Sequence, residues 1–271
     1  MNVVLIGSGN VATVFGKLIK KSGHSIVQVI GRNEQHAKAL ADILGSDFHT
    51  NLSQANIEAD IYVISVSDSS IIDIANNFKT GNKIVVHTSG AVSKNVLQKC
   101  SANFGVLYPL QSLRKQNENT LVIPLLIDAN NEETLDTLRS FAETISSKVS
   151  VADDQQRLKL HVAAVIVSNF SNYIFTLTKA YCEKENIPFN MLLPLIQETA
   201  MRLNEFAPED VQTGPAIRGD KPTMQKHLEL LKEYPELKKI YEIISEGIIN
   251  YYKCCIPKIK IPTGKPGREL L

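Results

Sequence analysis

The hexapeptide Gly7-Ser8-Gly9-Asn10-Val11-Ala12 restricts the fold more than any other part of this chain. It follows a short run of branched apolar residues and opens a helix-compatible segment. Glycines at this spacing between a strand and a helix belong to a βαβ unit that binds a dinucleotide. Gly7 permits the tight turn. Gly9, with no side chain, lets a pyrophosphate approach the backbone, and Ala12 lets the helix lie close to the sheet. The anion then rests on the free N–H groups at the helix start. Gly7, Ser8, Gly9, Asn10 and Val11 are therefore the expected phosphate-binding residues; a glycine turn without a ligand is the alternative.

The pattern around this turn supports the same unit. Runs at 3–7, 25–30, 61–66, 83–87, 105–108 and 122–128 are almost wholly apolar and rich in β-branched residues. Such runs suit parallel strands covered on both faces. Between them, 10–22, 34–44, 69–78, 93–100 and 132–147 carry helical spacing. Alternation of this kind predicts an α/β, Rossmann-like doubly wound sheet over residues 1–153. After Asp153-Asp154 the strand signal stops. Helices are expected at 155–183, 190–206, 221–233 and 236–253, making residues 154–271 an all-α C-terminal domain. Asp220 is expected to cap the third of these, with Pro222 in its first turn. The tail 256–271 is expected to be extended.

The second strand ends at Gly31-Arg32-Asn33, where an NAD site usually carries an acid for the ribose 2′-hydroxyl. A guanidinium instead suits a 2′-phosphate, so Arg32 points to NADP (NADPH). Asn33 is placed either beside that phosphate or as the cap of the next helix. Ligands in open α/β sheets lie beyond the carboxyl ends of strands. There the chain places Ser65-Val66-Ser67-Asp68, His87-Thr88-Ser89-Gly90 and Tyr108-Pro109-Leu110-Gln111-Ser112. Ser67 and Ser89 are the expected cofactor contacts among them.

The segment from Gln155 is apolar almost all round, which predicts a buried helix. His161, Ser168 and Asn172 return to nearly one angle at about 3.6 residues per turn. This polar stripe either ties helices together or faces an interdomain cleft, with His161 exchanging protons and Asn172 orienting a substrate. Arg218, in the loop Thr213-Gly214-Pro215-Ala216-Ile217-Arg218-Gly219-Asp220, either binds an acidic group or merely precedes the Asp220 cap.

Charge and cysteine usage narrow the class. Lys plus Arg number 29 and Asp plus Glu 28, a formal charge of +1. That balance gives no basic footprint for nucleic acid. Cys100, Cys182, Cys254 and Cys255 form no CxxC pair and no metal set, and free thiols point to a cytoplasmic protein. No apolar run approaches the roughly 18 residues of a membrane span, and the start lacks a signal-peptide pattern.

Together GSGNVA, HTSGA, YPLQS, HVAAVIVSNFSNY and TGPAIRGDKPTMQKHL resemble a bacterial family of NADP oxidoreductases of unassigned substrate. That family joins a Rossmann-like domain to a helical domain of unknown function. It is similar in architecture to pyrroline-5-carboxylate reductase, the β-hydroxyacid dehydrogenases and deazaflavin-dependent NADP reductases. The resemblance implies the fold and the cofactor. It departs at Tyr108, where the family usually has His, and no lysine matches the catalytic one of the β-hydroxyacid dehydrogenases, since Lys159 lies about 160° round the helix from His161. The expected activity is hydride transfer between NADP(H) and a small carbonyl or imine compound, as a homodimer. A dinucleotide-binding sensor or scaffold without turnover is the alternative.

Overall fold

The computed structural model describes residues 1–115 and 122–254. They form two compact units, Met1–Asn169 and the residues from Phe170 onward.

The first unit is a Rossmann-like sheet flanked by helices. Its elements are β1 (Asn2–Ile6), α1 (Asn10–Lys21), β2 (Ser25–Ile30), α2 (Glu34–Leu44), β3 (Asp47–His49), β4 (Ile61–Ile64), α3 (Asp68–Asn77), β5 (Gly81–His87), β6 (Ser101–Pro109), β7 (Leu125–Ala129), α4 (Glu132–Ile145) and β8 (Val149–Val151). The sheet has eight strands in the order β3-β2-β1-β4-β5-β6-β7-β8. Val3, Leu5, Val63 and Val86 face one core with α1, α2 and α4, whereas Val4, Ile64 and Val85 face the other with α3. Burial on both faces explains why the strands read as continuous apolar runs.

Three details differ from the sequence expectation. β7 is antiparallel to β6, so the sheet is mostly but not wholly parallel. The expected helix over 93–100 is a 3₁₀ helix, Lys94–Lys99. The edge strands β3 and β8 are three residues each, too short for a hydrophobic period to register.

A long helix comes next, as α5 (Asp154–Ala164), a π-helical segment Val165–Phe170, and α6 (Ser171–Lys184). Asp153 and Gln156 close its N-terminus as a reciprocal capping box. Two expectations fail here. A π turn takes one more residue than an α turn, which at 3.6 residues per turn rotates the later residues by about 100°. The fixed spacing that aligned His161, Ser168 and Asn172 therefore does not run unbroken through this segment.

The helix is also not buried. Val162 is 52% exposed, Ile166 51%, Val167 72% and Phe170 57%. An all-round apolar helix needs cover on every side, and the described residues do not supply it. Asp154–Lys184 is moreover the one described helix long and apolar enough to cross a membrane by length and composition, with a window of mean hydropathy 1.4. Short apolar runs broken by single polar residues hid that total from the run-length criterion.

The second unit continues through α7 (Leu193–Met201), α8 (Pro215–Arg218), α9 (Lys221–Leu230) and α10 (Pro235–Cys254). Asp220 does cap α9, accepting from the Thr223 N–H at 3.2 Å. Within this unit α10 packs on α6 and α8. Only Cys182, Ala216, Leu231 and Ser245 are buried among its described residues. The tail 256–271 and Cys255 lie outside the described residues.

Candidate active site

Gly7 follows β1 with φ at +126°, a conformation L side chains rarely adopt. A Cβ there would stand 2.1 Å from the Ser65 carbonyl oxygen. The turn can therefore lie against the end of β4 only as glycine, and its N–H donates to the Ile30 carbonyl at 2.7 Å. Gly9 is the reverse case: an added Cβ would meet nothing within 4 Å. It is the N-cap of α1 and offers the helix no side-chain cap. Of α1 to α5, α1 alone has neither a side-chain cap nor an acidic residue in its first turn. Its first N–H groups and the positive end of its dipole stay available to an anion.

These groups open on a cavity of about 740 Å³, within the range of sites for small ligands and cofactors. Gly7, Ser8, Gly9, Asn10, Val11, Arg32, Asn33, Ser67 and Ser89 all line it, and His161 does too. Gly7 and His161, distant in sequence, thus meet in one space, the first from the turn at the carboxyl edge of the sheet and the second from α5.

The individual roles differ in detail. Arg32 is exposed and enters no ion pair among the described residues. Asn33 caps α2, accepting from the His36 N–H at 2.9 Å. The Ser67 hydroxyl pairs with that of Ser70 at 2.9 Å, and Ser89 accepts from the N–H groups of Ala91 and Val92, each at 3.1 Å. Ser89 thus braces its own loop as well as lining the cavity. Asn172 and Arg218 belong to the second unit, exposed on α6 and at the end of α8.

The residues of this chain fit a dinucleotide phosphate. An uncapped helix start, an open glycine and an exposed guanidinium form an anion-binding set, and the end of β2 carries Gly31 rather than an acid. Gly31 has a packing reason as well, since a Cβ there would lie 2.9 Å from the Ser8 hydroxyl.

Sequence reasoning passed over the polar group behind the cavity. Tyr108 ends β6 on the cavity wall, and its hydroxyl lies 2.9 Å from His161 Nδ1. Arg157, only 1% exposed, donates from Nη2 to the Val92 carbonyl at 2.6 Å and to Asp154 at 2.7 Å. Asp154 also accepts from the Ser93 hydroxyl and the Lys94 N–H, so α5 grips the loop after β5. Burial raises the Asp154 carboxyl, but the hydrogen bonds from Ser93, Arg157 and Lys94 outweigh it and leave the group below its usual range. His87 is wholly buried; desolvation, then the Arg157 charge, push it down to about 4. Burial raises the Tyr108 phenol, and Arg157 pulls the other way. The available signal was the Asp-x-x-Arg spacing of residues 154 and 157, which puts both side chains on one helix face.

Two families match the chain. One, described as NADP oxidoreductase coenzyme F420-dependent, matches residues 2–90, and a domain of unknown function, DUF2520, matches 123–248. Among solved structures, a candidate NADP oxidoreductase from Bacteroides fragilis is 37% identical, with a TM-score of 0.86 over 92% of this chain and 98% of that one. The chain belongs to this NADP oxidoreductase family. It is an NAD(P)-dependent oxidoreductase, and its cofactor is NADP(H). More distant structures share the fold. One is a 1-pyrroline-5-carboxylate reductase from Streptococcus pyogenes, at 14% identity and TM-score 0.64, covering 92% of this chain and 98% of that one. Another is an imine reductase from Myxococcus stipitatus in complex with NADP+, at 16% and 0.64, covering 93% and 94%. No curated protein matches the chain.

Proposed function

We propose that this oxidoreductase reduces a small compound with a C=N or C=O bond. The observation that carries the reading is the single cavity that contains both the glycine turn and His161. NADPH, when bound, supplies a hydride. The N–H groups of Asn10, Val11 and Ala12 would hold the pyrophosphate and Arg32 the 2′-phosphate. Ser67 and Ser89 border the space left for the nicotinamide, and His161 holds a proton at a ring nitrogen. Asn172 and Arg218 are the proposed substrate-orienting groups of a helical domain starting near residue 154. The named activities of the pyrroline-5-carboxylate and imine reductases favour a C=N substrate.

We further propose a cytoplasmic homodimer. Among the described residues the second unit buries too few to form a core, and the long helix exposes its apolar side chains. A second copy would cover both, as in most closed oligomers. A bilayer suits this helix less well, because Ser168, Asn169, Ser171, Asn172, Thr176 and Thr178 would lie in hydrocarbon. The unpaired thiols of Cys100 and Cys182 suit the cytosol.

The deciding experiment follows NADPH oxidation with a panel of cyclic imines, keto acids and aldehydes. Turnover of a C=N or C=O compound is expected. NADPH binding without turnover on any of them would leave a sensor or scaffold in its place.

A further inference from the structure

We propose that Tyr108 delivers the proton in this reaction and that His161 resupplies it. The inference rests on the reading of the site as a reductase. It concerns which group faces the substrate and which stands behind.

Tyr108 and His161 share the cavity wall, edge to face, with ring centroids 5.8 Å apart. Their hydrogen bond joins the phenol to Nδ1, not Nε2. A neutral imidazole accepting there carries its proton on Nε2. Protonation of the ring reverses the bond: Nδ1–H donates to the phenol oxygen, and the phenol proton turns free toward the cavity. As the substrate carbon receives hydride, its nitrogen or oxygen takes the phenol proton and the phenol oxygen takes the Nδ1 proton. The result is a C–H and an N–H or O–H bond, an intact tyrosine and a neutral imidazole that solvent reprotonates.

Two further features favour this arrangement. Gly90 lies against both rings: a Cβ there would stand 2.7 Å from His161 Cγ and 2.9 Å from Tyr108 Cζ. The loop after β5 thus requires glycine where it presses the pair together. Behind it, Arg157 holds that loop, and its Nε and Nη1 have no partner among the described residues. It is paired with Asp154, and its charge partly offsets the burial that raises the Tyr108 phenol. The charged and titratable groups are Arg157 and Asp154 from α5, His87 from β5 and, lining the same cavity, Arg32, Asp68 and Asp73. His87, at about 4, stays neutral at neutral pH and is not the proton source.

The test compares wild type, Tyr108→Phe and His161→Gln in NADPH binding, turnover and imidazole nitrogen NMR. Tyr108→Phe should lower kcat by about 100–10,000-fold, the usual loss of a positioned proton donor, with NADPH affinity unchanged. His161→Gln should lower kcat as well, again with NADPH affinity unchanged. In the neutral wild-type protein without cofactor, NMR should show His161 protonated on Nε2, a preference that Tyr108→Phe weakens. A Tyr108→Phe enzyme within about threefold of wild-type kcat overturns the proposal and leaves the reductase reading intact. So does a His161 spectrum indifferent to Tyr108→Phe. Absence of wild-type turnover on every C=N and C=O compound overturns both.

Discussion

Two glycines two residues apart should fail in opposite ways. At Gly7 an alanine would be held at φ +126° with its Cβ 2.1 Å from the Ser65 carbonyl oxygen. Left-handed backbone costs an L residue about 1–2 kcal/mol. Relieving the collision means parting the ends of β1 and β4, which strains the Gly7 N–H to Ile30 and Ser65 N–H to Ile6 bonds, each 2.7 Å. Stranding one buried partner adds about 1–3 kcal/mol. The sum, about 2–5 kcal/mol, is a large part of a typical domain's 5–15 kcal/mol. At Gly9 the backbone is extended and the added side chain meets nothing, so Gly9→Val should cost stability no more than about 1 kcal/mol through the cap position. It would nonetheless stand where the pyrophosphate must approach. Urea unfolding and NADPH calorimetry on both variants decide the matter. Gly7→Ala should lose stability, and Gly9→Val should stay folded and lose NADPH binding. A wild-type unfolding midpoint for Gly7→Ala would refute the turn geometry, and normal NADPH affinity for Gly9→Val would refute the phosphate cradle.

Arg32→Ala should weaken NADPH binding by about 10–150-fold, the worth of one charged hydrogen-bonded contact, and leave NADH nearly unchanged; equal losses in calorimetry would remove Arg32 from the 2′-phosphate. His87 ties stability to pH. The unfolded chain protonates it near 6.5 and the folded one only at about 4, so stability is complete above 6.5 and falls toward 4. The loss approaches about 3 kcal/mol for this separation. His87→Asn should flatten that slope in denaturant unfolding measured across this range; an unchanged slope would disprove it. Val167→Glu, at a position 72% exposed in the single chain, should convert a dimer to monomers in sedimentation velocity. A variant that sediments as wild type would place the interface elsewhere.

The sequence by itself determined the α/β class, the helical second half and the phosphate turn. These follow from local chemistry: β-branched runs buried on both faces, helical spacing between them, and glycines where the backbone tolerates nothing else. The Asn33 and Asp220 caps are equally local, each bonding an N–H three residues on. The antiparallel β7 was not legible, because strand direction leaves no trace in an apolar run. Nor was the π turn at Val165–Phe170, which a fixed helical period steps over. Exposure of the long helix was hidden too, since apolar composition states a need for cover without saying that the same chain will meet it. Tyr108, His161, Gly90 and Arg157 are scattered through β6, α5 and the loop after β5. No spacing joins them, and only the tertiary structure could decide that Tyr108, His161 and Gly90 meet at one wall of the cavity, with Arg157 holding the loop beside them.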